Sequence, residues 1–204
     1  MLFVLLLLVL HKFSYQGGQN MLLPFYNKSD IIDKILKSYE IYYDVKKFEN
    51  NSLPLKATCE FHVHNEKYVL SKKAQLWSTE ANEYVYIFEM NTLTKDLFLE
   101  CKNYAYEEGM QIINPKPGHM YSYITTIFIY DFCDKKTESL IKKCKISKNF
   151  KFSLHGWMDF HIACINTSEN KIYSNKSGKV TSRFLQELFY KRNSSYKNFK
   201  KQFS

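Results

Sequence analysis

The sequence predicts a single α+β domain with a mixed, mostly antiparallel sheet of about six strands and about four helices. Segments with helical apolar spacing alternate with segments of two-residue period, in the order α-β-β-β-α-β-α-β-β-β-α. The 204 residues are 45% hydrophobic and 17% aromatic, which suffices for one buried core and argues against a disordered chain. Six glycines and four prolines leave no long flexible linker.

The first part of the chain predicts one helix followed by strands. Ser29 is a typical N-cap residue, and apolar side chains then recur at helical spacing. Residues 53–64 alternate apolar and polar side chains, as a half-buried strand does. The pair Asn65-Glu66 predicts a tight turn into a second strand at residues 68–76.

The middle of the chain predicts two strands and two helices. Residues 84–88 and 121–130 are apolar on both faces, as central strands of a sheet are. Thr94 and Asp134 are suited to cap the helices that follow these strands. Gly109 predicts the end of the first of these helices, because glycine is common just past a helix C-terminus.

The last part of the chain predicts a bent or folded strand, a short strand at residues 171–173 and a final helix after Gly178. Residues 147–165 keep one apolar face on even-numbered positions. These positions are Phe150, Phe152, Leu154, Met158, Phe160, Ile162 and Cys164. One straight strand of this length would span roughly 60 Å, so we expect a three-residue hairpin loop at residues 155–157.

The two ends of the chain differ from the predicted domain at residues 21–190. An apolar run at residues 2–10 is too short to span a membrane, and it lacks the basic residues and cleavage site of a signal peptide. The codons just before Met21 can spell a ribosome-binding site. We therefore expect residues 1–20 to be a non-native translated leader, with a weak signal or anchor as the alternative. Residues 191–204 are predicted to be a basic flexible tail.

The formal net charge of +9 favours an acidic partner, either nucleic acid or an anionic surface. Arginine suits bidentate contacts to phosphate and bases, yet it occurs only as Arg183 and Arg192. Nucleic acid is therefore a disfavoured partner. A membrane is also disfavoured unless residues 1–20 are genuine. Weak binding to nucleic acid or an anionic surface through the lysine-rich surface and the tail remains an alternative.

The cysteines predict a reducing compartment and a cytoplasmic protein. Their number is odd and no CxxC pair occurs, which disfavours both a disulfide framework and a zinc ribbon. The five are Cys59, Cys101, Cys133, Cys144 and Cys164.

One candidate metal site is the alternating set Glu60, His62 and His64 on a single strand face. A tight turn at Asn65-Glu66 would place Lys67 opposite His64, where its ammonium group would oppose a bound cation. A solvated polar strand face is therefore favoured, and the sequence predicts no metal and no cofactor.

The candidate binding patch lies on the polar face around residues 151–161. It comprises Lys151, Ser153, His155, Trp157, Asp159 and His161. Folding back at residue 156 would set Lys151 across from His161 and Ser153 across from Asp159. Such a patch is suited to a small molecule or a protein partner, and the Asp–His pair is suited to acid–base chemistry. An exposed hairpin with a packed tryptophan is the alternative without function.

Three segments carry a resemblance to a known family. They are EKYVLSKKAQLW (residues 66–77), HMYSYIT (residues 119–125) and FKFSLHGWMDF (residues 150–160). Together they resemble a family of uncharacterised domains from anaerobic Firmicutes-type bacteria, over roughly residues 39–179. The resemblance implies no activity and no functional residue.

The sequence contains no dinucleotide-binding, P-loop, zinc-protease or serine-hydrolase motif. The favoured hypothesis is therefore a non-catalytic binding or interaction protein. The alternatives are a small enzyme that uses the Asp/His site on the 151–161 strand face, and the weak nucleic-acid or anionic-surface binder described above.

Overall fold

A computed structural model describes the main part of the chain, except for the side chains of residues 63–68 and 75–79. The described ranges are residues 27–49, 52–68 and 75–189. The predicted leader at residues 1–20 and the predicted tail at residues 191–204 lie outside the described residues.

The described residues form four helices and nine strands. In chain order these are α1 (Lys28–Tyr39), β1 (Asp44–Lys47), β2 (Leu55–Tyr68), β3 (Gln75–Glu89), β4 (Thr92–Leu93), α2 (Lys95–Ile112), β5 (His119–Tyr130), β6 (Phe132–Cys133), α3 (Lys135–Lys143), β7 (Ser147–Asn149), β8 (Trp157–Asn166), β9 (Lys171–Ser174) and α4 (Lys179–Phe189). This single α+β domain confirms the predicted fold class.

The main sheet is open, with strand order β1-β2-β3-β5-β8-β7, and β9 pairs with β8 beside β7. The pairs β3–β5 and β5–β8 are parallel. The other four pairs are antiparallel, as predicted for a mostly antiparallel mixed sheet. A separate two-residue parallel ladder joins β4 to β6.

Helices cover both faces of the sheet. The crossovers β3–α2–β5 and β5–α3–β8 step in one direction across the sheet, so right-handed connections place both helices on the same face. There Phe98 and Ile141 belong to one buried cluster with Phe128 of β5. On the opposite face Ile35 of α1 and Leu185 of α4 belong to a second buried cluster.

The helix caps follow from local sequence. The side chains of Thr94 and Asp134 accept hydrogen bonds from backbone N–H groups of the first turns of α2 and α3, which confirms both predicted caps. The predicted cap at Ser29 is wrong by two residues. Asn27 caps α1 instead, because its Oδ1 accepts from the Asp30 backbone N at 2.8 Å.

Gly109 does not end α2, which continues to Ile112. Gly109 is buried inside the helix, and a Cβ at this position would lie 2.7 Å from Ile124 Cδ1. The residue therefore allows close packing of α2 on β5, and this packing outweighs the tendency of glycine to stop a helix.

The predicted turn at Asn65-Glu66 is wrong, because both residues lie inside β2. The segments predicted at residues 68–76 and 84–88 therefore do not form two strands, since β3 runs unbroken from Gln75 to Glu89. His64 pairs with Glu80, and Lys67 pairs with Trp77. Lys67 is thus not opposite His64. The Asn-Glu pair has no glycine to favour a two-residue turn, whereas continued pairing satisfies the backbone of both strands.

The bend between β7 and β8 is a longer turn than the predicted three-residue loop. Lys151, Phe152 and Ser153 adopt φ angles of 44°, 55° and 70°, and β8 begins at Trp157. Ser147 then pairs with Asp159. The predicted pairing of Lys151 with His161 and of Ser153 with Asp159 is therefore wrong.

The turn also changes which side chains are buried. Phe152 and Leu154 are exposed, although the even-numbered pattern placed them on an inward strand face. Strand alternation ceases to hold once residues 151–155 form a turn. Phe150 at the base of the turn is buried, as predicted.

One side chain completes the edge of β8 between β7 and β9. The Asn175 Oδ1 accepts hydrogen bonds from the Ile162 N (3.0 Å) and the Gly178 N (2.8 Å). The Asn175 Nδ2 donates to the carbonyl oxygens of Phe160 and Cys144, each at 3.1 Å. The amide therefore replaces a peptide group in the gap between two short edge strands.

Candidate functional site

A row of four rings crosses one face of the sheet near the start of the parallel strands β5 and β8. We call Trp157, Tyr121, Tyr123 and His161 the aromatic row. Successive ring centroids lie 5.8 Å, 4.8 Å and 4.4 Å apart. Trp157 is 38% exposed at one end, and His161 is buried at the other.

Parallel pairing explains why these side chains meet. Tyr121 lies beside Trp157 in the register, and Tyr123 lies beside Asp159. Alternate residues of a strand point to the same face, and neighbouring strands lie roughly 4.8 Å apart. Two stretches of chain more than thirty residues apart therefore build one continuous surface.

A buried carboxyl group adjoins the aromatic row. Glu83 on β3 is only 3% exposed. The hydroxyl groups of Tyr43 and Thr125 each donate to its carboxylate at 2.7 Å. Burial raises the pKa of Glu83, whereas these two hydrogen bonds oppose the rise.

We expect the Glu83→Gln variant to change the pH dependence of stability. The raised pKa of Glu83 in the folded state means that folded chains hold this proton at pH values where unfolded chains have lost it. The free energy of unfolding of the wild type should thus fall as pH rises from the unfolded pKa through the folded one. The Glu83→Gln variant has no carboxyl group at this position, so its free energy of unfolding should lack this part of the fall. Urea unfolding from pH 4 to pH 8 measures it.

The exposed residue Glu107 on α2 provides the control for this measurement. The Glu107→Gln variant should reproduce the wild-type pH profile. Parallel profiles for the wild type and Glu83→Gln would contradict the raised pKa of Glu83.

Asp159 and His161 stand on the same face of β8 as Trp157. Burial raises the pKa of Asp159, and Lys145 partly offsets this rise. Burial lowers the pKa of His161 to about 4, so its imidazole is neutral near pH 7. Within the described part of the chain, neither the carboxylate nor the imidazole has a hydrogen-bond or ion-pair partner.

The six residues of the predicted patch fall into two groups. Trp157, Asp159 and His161 share one face of β8, by strand alternation. Lys151 and Ser153 are exposed in the turn. His155 lies at the end of the turn, where its Nδ1 is 3.3 Å from the carbonyl oxygen of Pro115.

His119 connects this turn to β5. Its Nδ1 lies 2.7 Å from the carbonyl oxygen of His155, and its Nε2 lies 2.8 Å from the Ser122 Oγ. Because both ring nitrogens are engaged, the role of His119 is to hold the turn against the strand.

The candidate metal face contains a pair of contacting groups. The His62 Nε2 lies 3.6 Å from the Glu60 Oε2, and the His62 Nδ1 lies 2.9 Å from the Asn82 Oδ1. The side chain of His64 lies outside the described residues. Among the residues that are described, no group of three His, Cys, Asp or Glu side chains is close enough to hold a metal ion.

A cavity of about 410 Å³ lies away from the aromatic row, where the parallel strands β3, β5 and β8 end. Its lining includes Thr94, Asp131, Asp134 and Glu169. Asp131 is paired with Lys28 at 2.5 Å, and Asp134 is occupied in capping α3. No residue of the predicted patch lines this cavity.

Sequence reasoning missed the part of the site that β3 and β5 contribute. Tyr121, Tyr123 and Thr125 alternate along β5, which was a usable signal for one polar face of a strand. Glu83 had no such signal, because a single carboxylate before an apolar segment is an ordinary strand boundary. Tyr43 reaches Glu83 only through the tertiary fold.

None of the described helices is long and apolar enough to cross a membrane. All five cysteines lie in the described part of the chain, and none forms a disulfide bond.

Comparison with known proteins identifies a family but no relative of established function. No curated protein and no solved structure gives a significant match to the chain. The model of a family described as a domain of unknown function, DUF8052, matches residues 27–187. This range includes every helix of the fold except the last two residues of α4, and it includes the whole aromatic row. The predicted resemblance to a family of uncharacterised domains is confirmed, and the chain belongs to the DUF8052 family.

Proposed function

We propose that this protein is a non-catalytic binding protein, and that its ligand is a small organic cation with a flat ring. The ligand would lie on the aromatic row and place its ammonium group beside Asp159. The supporting observation is that Asp159 and His161 are both partly or fully withdrawn from water, yet neither has a partner within the described residues. A cationic ligand would give the carboxylate a charged hydrogen bond and the imidazole a donor.

The ring faces beside Asp159 favour a cation over a neutral ligand. Trp157 and Tyr121 lie 5.8 Å apart with their planes tilted by 32°. The electron-rich faces of Trp and Tyr attract cations, and a nearby carboxylate adds a direct charge. The neutral imidazole of His161 could accept a second hydrogen bond from the ammonium group.

Phenethylammonium and 2-phenylethanol form a suitable probe pair, because they differ only in the ammonium and hydroxyl groups. The chain has two tryptophans, so a Trp77→Phe background makes Trp157 the only fluorescent indole. We expect phenethylammonium to quench Trp157 and to bind roughly fivefold more tightly than 2-phenylethanol. Isothermal titration calorimetry provides the independent affinity.

Two variants separate the contributions of charge and ring. Asp159→Asn should abolish the preference for the ammonium probe, whereas Trp157→Leu should weaken both probes by about fivefold. Asp44→Asn, which removes an exposed carboxylate on the edge strand β1, should leave both affinities unchanged. The cation assignment would be wrong if the wild type bound the two probes with equal affinity, or if Asp159→Asn kept the preference for the ammonium probe. Absence of any binding would overturn the site.

Catalysis by the same two side chains is the second candidate. Burial raises the pKa of Asp159 and lowers the pKa of His161 to about 4, so the neutral imidazole of His161 is suited to accept a proton from a bound ligand. This candidate predicts that a ligand found by the binding assay is chemically altered over time. The alteration should stop in both His161→Gln and Asp159→Asn.

The cellular setting is part of the same proposal. Five unpaired cysteines are in keeping with a cytoplasmic protein. The proposed origin in the anaerobic Firmicutes-type group of bacteria rests on the sequence resemblance alone. The domain would occupy residues 21–190, after a non-native leader at residues 1–20 and before a basic tail at residues 191–204. Translation from Met21 alone should give a chain with the thermal stability of the full-length one.

A further inference from the structure

We infer that the turn between β7 and β8 is a docking tip for an anionic lipid surface. The proposal is independent of the ligand site, because it uses neither Asp159 nor His161. It rests on two exposed apolar side chains at the point of the turn and on the exposed lysines at its base.

The apolar part of the tip consists of Phe152 and Leu154. Phe152 is 98% exposed and Leu154 is 79% exposed, the two largest values among the described large apolar side chains. Met120 on β5 is also exposed, and its carbonyl oxygen would lie 2.4 Å from a Cβ at Gly156. Exposed apolar groups concentrated on one projection are typical of an interaction site.

The tip is held in one shape before it meets a partner. Within the turn, the Leu154 N donates to the Lys151 carbonyl oxygen and the His155 N donates to that of Phe150. The buried ring of Phe150 anchors the base of the turn, 5.8 Å from the ring of His119. Three consecutive left-handed residues, none of them glycine, are costly and persist only where the surrounding structure enforces them.

The charge around the tip selects an anionic partner. Between Glu138 and Asp159 the sequence has five lysines and no acidic residue. Lys148 and Lys151 are exposed just before the apolar pair in the chain, and the Lys148 Nζ lies 5.8 Å from the ring centroid of Phe150 at the base of the turn. A convex apolar point with ammonium groups at its base matches the boundary between anionic headgroups and acyl chains. A groove-binding protein segment would instead require a concave surface.

Cosedimentation with lipid vesicles tests this proposal on the full chain. We expect binding to vesicles of phosphatidylcholine mixed with phosphatidylglycerol, and weaker binding to phosphatidylcholine alone. The double variant Phe152→Ser/Leu154→Ser should bind the mixed vesicles about tenfold more weakly. Lys148→Gln/Lys151→Gln should also lose about tenfold, and added salt should weaken the wild type.

The controls distinguish the tip from other surfaces. Phe132, which is 64% exposed in β6 beyond the far end of β5, provides the matched variant Phe132→Ser, and its binding should equal that of the wild type. Phe152→Trp should keep the binding of the wild type, because Trp favours the membrane interface. The apolar run at residues 2–10 is common to every variant and cannot produce a difference between them.

Three results would overturn the proposal. The first is no binding of the wild type to the mixed vesicles. The second is equal binding by the wild type and Phe152→Ser/Leu154→Ser. The third is that the wild type self-associates in sedimentation and that the double variant loses this self-association while it keeps its lipid binding. The third result would assign the tip to a second copy of the chain.

Discussion

Replacing Asn175 with alanine is expected to lower the free energy of unfolding by about 4 kcal/mol. The buried amide makes four hydrogen bonds, two as acceptor and two as donor. Alanine leaves four backbone groups of the β8 edge and its surroundings without a partner. Each such bond contributes roughly 1 kcal/mol net, and a buried group left unpaired costs more.

Urea unfolding at neutral pH measures this effect, and Asn166 provides the control. Asn166 is also a buried asparagine, but its side chain accepts one hydrogen bond, from the Glu169 N at 3.0 Å. The Asn166→Ala variant should therefore lose about 1 kcal/mol. A cost for Asn175→Ala no larger than that of Asn166→Ala would refute the view that the amide replaces a peptide group.

The second large effect is expected at Gly156. The Gly156→Ala variant should lose about 3 kcal/mol or more of the free energy of unfolding. The added Cβ would lie 2.4 Å from the Met120 carbonyl oxygen and 2.6 Å from that of His119. These are backbone atoms of β5, so they cannot move aside as a flexible side chain does. The φ angle of +74° adds the strain of a left-handed residue.

A substitution in the same turn should have the opposite sign. Ser153 has a φ angle of 70° without being glycine, so Ser153→Gly relieves strain. After the entropy cost of glycine in the unfolded chain, we expect no loss and a gain of up to about 1 kcal/mol. Thermal and urea unfolding of Gly156→Ala and Ser153→Gly measure both effects. A Gly156→Ala variant as stable as the wild type would show that β5 is farther from the turn.

Local signals explain the parts of the fold that the sequence predicts well. The caps Thr94 and Asp134 act within one helical turn, so their residue types alone locate the starts of α2 and α3. The helix end predicted at Gly109 and the turn predicted at Asn65-Glu66 are wrong for the opposite reason. The close approach of α2 to β5 and the length of the β2–β3 ladder are tertiary properties that local propensity does not contain.

The candidate site shows the same division between local and tertiary information. Alternation along one strand places Trp157, Asp159 and His161 on one face, and the sequence predicts this half of the site. The other half depends on the parallel pairing of β5 with β8, which brings Tyr121 and Tyr123 beside them. Parallel neighbours are joined through a helix rather than a tight turn, so no turn motif in the sequence indicates their register.

The amide of Asn175 also affects how the protein meets other chains. An open sheet edge invites strand addition by a second molecule, which is a common route to aggregation. At β8 this edge is divided into the three residues of β7, the side-chain amide of Asn175 and the four residues of β9. A second chain finds no continuous run of free peptide groups along it. Folding thus leaves this edge of the sheet protected against open-ended assembly.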